Sequence, residues 1–256
     1  MNNANADLSV EEARRRIQKL TRRSFLTGGI AAAVGASGLA WTNWLAPKVD
    51  EIPWPLRRVL QGNESLASAW FSPERLAPEF SASLAANPRP NGRIGLSAEL
   101  DPSQWSLTVQ QPERQAQTLD MAAIRALPRF ESTTELKCIE GWSQVVTWGG
   151  ARLSDLVAAH GLAKRGTAAL RYAQLLTPDE SYYVGLDMPS ALHPQTMLCY
   201  EMNGAPLEAI HGAPLRLVIP VKYGVKNLKC IGQIRFLDER PADYWAERGY
   251  DWYAGL

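Results

Sequence analysis

The stretch ELKCIEGWS, residues 135–143, places one cysteine, Cys138, after an apparent β-strand and before a glycine and a tryptophan. A thiol used as a small buried hydrophobe needs no such setting. One that must meet a ligand sits well at the end of a strand, where the backbone turns away. The chain has three cysteines, at 138, 199 and 230, too few and too scattered for a disulfide framework or a zinc site. Its three histidines, at 160, 193 and 211, show no zinc-ligand spacing. Neither a G-x-G-x-x-G nor a Walker sequence occurs, so nucleotide-binding folds lose support.

The elements that must position this thiol follow from periodicity. With 256 residues, 46% of them hydrophobic and 21% charged, the chain can bury a substantial core. A net charge of +1 argues neither for a nucleic-acid surface nor for an acidic tail. QWSLTV puts Trp105, Leu107 and Val109 on one strand face, and TLDMAAIRALP reads as a short helix stopped by Pro128. Phe130 to Ile139 is a strand with Cys138 near its end. LSDLVAAHG is a helix stopped by Gly161. ALRYAQLL and TMLCYEMNGAPL read as strands, the latter turning at Asn203-Gly204, and PLRLVIPV and LKCIGQIRFL close the set. The expectation is an α+β, mainly β, single domain over residues 91–256 with an aromatic C-terminal tail. Prolines 47, 53, 55, 73, 78, 88 and 90 predict an extended arm over 46–90, with at most one short helix, packed through Trp54, Trp70 and Phe71.

Residues 1–45 read as a targeting segment. TRRSFL, followed by a weakly apolar Gly/Ala run over 28–40, resembles a twin-arginine export signal. An amphipathic basic helix is the other reading, but the run is a poor soluble helix. It is also short for a membrane span, which needs about 20 apolar residues. Gly38–Ala40 could precede a cleavage point, while Trp41 and Trp44 could equally hold an uncleaved anchor in the membrane interface. The expected location is periplasmic or otherwise extracytoplasmic. Twin-arginine cargo crosses folded, which favours a cofactor protein.

KCIEGWS followed by VTWGGARLSDLV and then YEMNGAPLEAIHGAPLRLVIPVKYGVKNLKCI resembles the molybdopterin-binding domain of the sulfite oxidase superfamily. The likeness is closer to its small exported bacterial branch, that of the catalytic subunits of periplasmic methionine sulfoxide reductases. It covers roughly residues 91–240. The resemblance implies a sulfite-oxidase-like fold and a molybdenum–molybdopterin cofactor whose one protein ligand is Cys138. A thiolate suits a metal that takes soft sulfur ligands, and the pterin supplies the other sulfurs, so the cysteine needs no partner. The pterin's phosphate calls for cations and backbone N–H groups. By resemblance His211 and Arg216 face the pterin, and Asn227, Leu228 and Lys229 embrace its phosphate end, with Lys222 and Lys226 as further cations nearby. Thr177, Asn91 and Arg93 are further cofactor contacts.

The resemblance also implies an enzyme of oxygen-atom transfer. The segment 177–197 resembles the stretch lining the metal pocket, and its chemically able residues are Tyr182, Tyr183, Asp187 and His193. Tyr182 and His193 are the candidates for catalysis, although His193 beside Pro194 also reads as structural. The turn after Cys138 lacks the arginines of the sulfite oxidases proper, which favours reduction of sulfoxides or similar oxides over oxidation of sulfite or another small oxyanion. A non-catalytic binding or scaffold protein is the third reading, opposed by the intact Cys138, His211, Arg216 and Lys229. Cys199 and Cys230 read as core thiols. No haem-domain signature precedes the domain, and no immunoglobulin-like dimerisation domain fits after residue 240. The expected partners are therefore a separate electron carrier, such as a membrane haem protein, and the twin-arginine export machinery, with a monomeric chain and no nucleic acid.

Overall fold

The computed structural model describes residues 33–41, 45–49, 52–92, 94–96, 101, 104–165 and 168–255. The arginine pair at 22 and 23 lies outside them. The chain divides into two compact units, Met1–Arg58 and Val59–Leu256. No helix among the described residues is long and apolar enough to cross a membrane.

The proline-rich segment is less extended than its composition suggests. No proline falls between Pro55 and Pro73, and a helix of 17 residues, α1 (Trp54–Trp70), fills that gap. Pro55 sits in its first turn, where a missing N–H costs no helical hydrogen bond. Trp54 and Trp70, expected as anchors, are 40% and 76% exposed. Phe71 does pack, edge-on to Tyr253 and His193. Beyond it, Phe80 N–H bonds to Thr133 O and Ala86 N–H to Val145 O, which tie this stretch to the domain's strands.

Alternation sets the first sheet. In β1 (Leu107–Gln110) Leu107 and Val109 are buried, while Thr108 and Gln110 are half-buried. β2 (Gln117–Leu119) pairs with it antiparallel, and Asp120 then caps the short helix α2 (Met121–Arg125) by accepting the Ala123 N–H. β3 (Arg129–Lys137) and β4 (Ser143–Arg152) form a long hairpin, and α3 (Leu153–His160) follows, ending at Gly161 in the left-handed region. Next come β5 (Tyr172–Leu176), β6 (Tyr183–Asp187) and the single turn α4 (Met188–Ala191). β7 (Met197–Met202) turns through Asn203 and Gly204, both at positive φ, into β8 (Ala205–Pro206). β9 (Arg216–Val218) and β10 (Gln233–Leu237) complete the set.

One five-stranded sheet runs β6-β5-β10-β1-β2, with β10 and β1 parallel; the other runs β8-β7-β4-β3, with β9 also paired to β7. The main apolar cluster draws Leu107, Leu175, Ile234 and Phe236 from the first sheet and Leu198 and Leu217 from the second. A second cluster holds Val146, Trp148, Met197, Cys199 and Val218. Adjacent residues of β7 thus enter opposite clusters, which is why Met197 to Tyr200 are all buried and do not alternate with polar residues. The tail folds back, burying Trp252 and Tyr253 against Ala67, Phe71 and Tyr172.

The β4–β7 seam has no room for a side chain at Gly150. A Cβ there would lie 2.1 Å from Leu198 O and 2.7 Å from Cys199 Cα, both backbone atoms. Gly150→Ala is therefore expected to destabilise the domain by about 1–3 kcal/mol or more, read as a lower midpoint in urea denaturation with an unchanged slope.

Candidate active site

The opening stretch is a tight turn at the end of β3. Cys138 N–H donates to Trp142 O at 2.8 Å and Gly141 N–H to Cys138 O at 3.1 Å. Gly141 has φ +87°, a conformation that L side chains rarely adopt. The pleat of β3 directs Leu136 and Cys138 to the wall of a cavity of about 310 Å³. Asn91 reaches the thiol, its Nδ2 lying 3.6 Å from Cys138 Sγ. Hydrogen bonds from Asn91 and the Trp142 indole, helped by Arg89, hold the exposed Glu140 carboxyl below its usual range.

The cation wall comes from three short elements. His211 ends a 3₁₀ turn (Ala209–His211), Arg216 opens β9, and Asn227 follows a second 3₁₀ turn (Gly224–Lys226). Arg216 is buried: Nη1 donates to His211 O at 2.9 Å and Nη2 to Asn227 O at 3.4 Å, with the guanidinium 4.6 Å from the Trp148 ring centre. Its Nε has no partner among the described residues. Burial lowers its pKa to about 10. Lys229 Nζ donates to the carbonyls of Asn91, Gly92 and Ile210. Burial, and then Arg216, bring its pKa down to about 8. His211 is held below its ordinary value by burial, then by Arg216 and Lys229. Across the cavity Tyr182 donates its hydroxyl to Val225 O at 2.6 Å; burial, then the Asp243 carboxylate, push its pKa up, so it keeps its proton.

Asn91, Cys138, Tyr182, His211, Arg216, Asn227 and Lys229 therefore line one cavity, although 138 positions separate the first from the last. Other expected residues do not. Thr177 is fully buried, donating to Asp179 Oδ1 at 2.6 Å and accepting the Tyr182 N–H, and so closes its own turn. Leu228 is a core side chain whose carbonyl accepts the Leu217 N–H. His193 lies off the cavity: Nδ1 accepts the Gln195 N–H at 3.2 Å, which leaves Nε2–H facing Arg75 O at 3.4 Å. Burial holds it below its usual pKa, and in this structure its ring nitrogens serve the backbone of Gln195 and Arg75 rather than the cavity. Tyr183 donates to Glu247, away from the cavity. Arg93 lies outside the described residues.

Two of the three lysines also depart from expectation. Lys226 is buried against Asp243 and Gly185 O, and Lys222 is buried over the Tyr253 ring, leaving Lys229 as the lysine of the cavity. Cys199 and Cys230 are buried thiols with raised pKa values, Cys230 reaching about 11. Sequence reasoning passed over Arg89, Trp245 and Tyr250, which also line the cavity. The dense aromatic tail was a signal for the latter two, but nothing in it shows which rings point inward.

Lys229 yields a pH prediction. Its folded pKa of about 8 lies below the ordinary 10.5, so between these values the unfolded chain holds a proton that the folded chain lacks. Stability then rises with pH across that window. The unfolding free energy of the wild type relative to Lys229→Met should shift toward the wild type as pH climbs through about 8 toward 10.5. Paired urea titrations across that range would read it, and a constant difference would refute it.

Comparison with known proteins gives the family. Residues 94–245 match the family described as oxidoreductase molybdopterin binding domain. A candidate protein-methionine-sulfoxide reductase subunit of Azospira oryzae, YedZ1, is 30% identical over 98% of this chain and 96% of its own. The protein-methionine-sulfoxide reductase catalytic subunit MsrP of Burkholderia mallei is 30% identical over 92% of this chain and 75% of its own, and that of Ralstonia nicotianae 28% over 88% and 73%. The sulfane dehydrogenase SoxCD of Paracoccus pantotrophus shares the fold at TM-score 0.50 and 20% identity, over 56% of this chain and 40% of that one. With a match that spans more than half of its length, this chain belongs to the molybdopterin-binding oxidoreductase family and is a molybdenum-cofactor-dependent enzyme of the sulfite-oxidase-like fold.

Proposed function

We propose that this chain is the catalytic subunit of an exported reductase of sulfoxides, with methionine sulfoxide, free or in protein, as the substrate class. The observation that carries the reading is one thiol held by a turn between a wall of nitrogen donors and a mouth of aromatic rings. The residues fit a molybdopterin. Among the described residues Arg216 has a buried donor without a partner, and His211, Arg216 and Lys229 gather along one cavity. Among the described residues no cluster of histidine, cysteine or carboxylate could hold a metal by itself, which suits a metal brought by a cofactor.

In this reading Cys138 is the protein ligand, Asn91 donates toward its sulfur and steadies it, and Arg216, His211 and Lys229 hold the pterin and its phosphate. When bound, the cofactor supplies two-electron oxygen-atom chemistry that no side chain can perform. Reduction of a sulfoxide consumes two electrons and two protons and releases a thioether and water. Tyr182 keeps its proton and offers a fixed polar edge, and His211, held neutral, can share one hydrogen bond. Trp142, Trp245 and Tyr250 offer apolar walls to a neutral sulfoxide. A second reading, oxidation of sulfite or another small oxyanion, is favoured by Arg89, which the fold brings to the cavity from outside the Cys138 turn. Glu140 beside Arg89 offsets that charge, and we prefer the reductase.

Turnover of methionine sulfoxide and of sulfite by the molybdenum-loaded enzyme separates the two; faster turnover of sulfite would overturn the assignment. Cys138→Ala should leave the fold intact, because the side chain stands on a half-exposed turn. Its activity should fall by more than the about 10–100-fold typical of losing a residue that only supports a metal ligand.

Export by the twin-arginine route belongs to the same proposal and rests on the TRRSFL sequence. Changing Arg22 and Arg23 together to lysine should strand the precursor in the cytoplasm, because the receptor reads the guanidinium pair. Cell fractionation gives the answer, and unchanged export of the double variant would end this part of the reading.

A further inference from the structure

A second depression, larger than the cofactor cavity at about 610 Å³, lies between the C-terminal half of α1 and the end of β3. Its larger apolar lining residues include Leu66, Trp70, Phe71, Leu76, Val221 and Tyr253. Leu66, Trp70 and Leu76 are 67%, 76% and 54% exposed, and Val59 continues the stripe along α1 at helical spacing. Exposed apolar side chains gathered along one groove, rather than scattered singly, are the arrangement of an interaction site. Two cations, Arg75 and Lys137, line the depression, and among the described residues no acidic one does. Lys137 has Glu135 at 3.7 Å, and Arg75 forms no ion pair among the described residues.

The position of this groove gives it a meaning. Lys137 lines the groove, while its neighbours Leu136 and Cys138 line the cofactor cavity, because successive residues of a strand face opposite sides. The segment after β9 divides in the same way: Pro220 and Val221 face the groove, Gly224 and Val225 the cavity. The backbone that carries the metal-ligating thiol is thus the partition between the two.

We infer that this groove is the docking site of the protein that delivers electrons, which seats an amphipathic helix bearing apolar anchors and carboxylates against α1. Lys137 and Cys138 then form the covalent route inward. This rests on the proposed reductase reading. Two molecules of the reduced one-electron carrier each give up one electron in successive encounters, and these two electrons, with two protons from solvent, convert the sulfoxide to thioether and water. Apolar anchors supply affinity, while the Arg75 and Lys137 charges select partner and orientation.

The test uses the full-length holoenzyme with Leu66→Glu, Trp70→Ala and Arg75→Glu, none of which lines the cofactor cavity. Co-sedimentation with native membranes, with protein-free phosphatidylglycerol/phosphatidylethanolamine vesicles as control, reads docking whether or not the enzyme turns over methionine sulfoxide. Each variant should lose about tenfold or more in binding to native membranes, with turnover driven by reduced viologen dye unchanged. Arg75→Glu should also flatten the salt dependence. Undiminished membrane binding by all three variants would overturn the inference. So would equal binding to protein-free vesicles, which would make the groove a lipid contact, or a wild-type dimer in sedimentation velocity that Leu66→Glu dissociates, which would make it a self-interface. Loss of dye-driven methionine sulfoxide turnover in the wild type would instead refute the reductase reading and leave the docking measurement standing.

Discussion

The site is organised around a buried guanidinium that no carboxylate neutralises among the described residues. Arg216 gives its two terminal nitrogens to backbone carbonyls and rests its plane on Trp148, while Nε stays open. Burying a charge is costly unless hydrogen bonds or a counter-charge answer it. Here the His211 turn and the Asn227 turn are both aimed at this one side chain by their carbonyls. The Asn227 side chain also accepts the Ile219 N–H at 2.8 Å, which fixes the chain leaving β9. A cation held in this way, with Lys229 nearby also lowered in pKa, is an electrostatic deficit that an anionic ligand would fill.

The rest of the domain can be seen as the support for that wall. Two sheets share an apolar cluster, and β7, buried on both faces, carries β9 on one side and β4 on the other. β9 supplies Arg216 and β4 supplies Trp148, so both partners of the cation–π contact come from the middle of the packed structure. The Cys138 turn lies at the far end of the edge strand β3, where backbone can leave the ladder without orphaning a central hydrogen bond. Rigid cations and a thiol on a turn at the sheet's edge divide the tasks: one side holds a ligand, the other presents a reactive sulfur.

The buried charge of Lys226 follows the opposite rule. Lys226 is answered by Asp243 and a backbone carbonyl and contributes to holding the tail, since Asp243 also accepts the Gly185, Trp245 and Ala246 N–H groups. The tail in turn brings Trp245 and Tyr250 to the cavity. A lysine that resembles a phosphate ligand by sequence therefore acts two steps away, by placing aromatic walls.

Much of this was determined by sequence alone. Period-2 runs such as LTV, the Asn203-Gly204 turn and the Gly161 stop are local, because backbone sterics and the burial of one face act over a few residues. The lone Cys138 at a strand's end, with Gly141 behind it, is local for the same reason. What distinguishes Lys229 from Lys222 and Lys226 is not local: all three are lysines within one short segment, and which faces the cavity depends on the turn at 224–226 and on the acidic residue that folds back from the tail. His193 shows the same limit, its ring nitrogens being taken by Gln195 N–H and Arg75 O, a carbonyl 118 positions away. Only the tertiary structure could bring Arg89, Asn91, Trp245 and Tyr250 beside Cys138. The convergence of remote segments is set by how two sheets pack, and side-chain type carries no record of that distance.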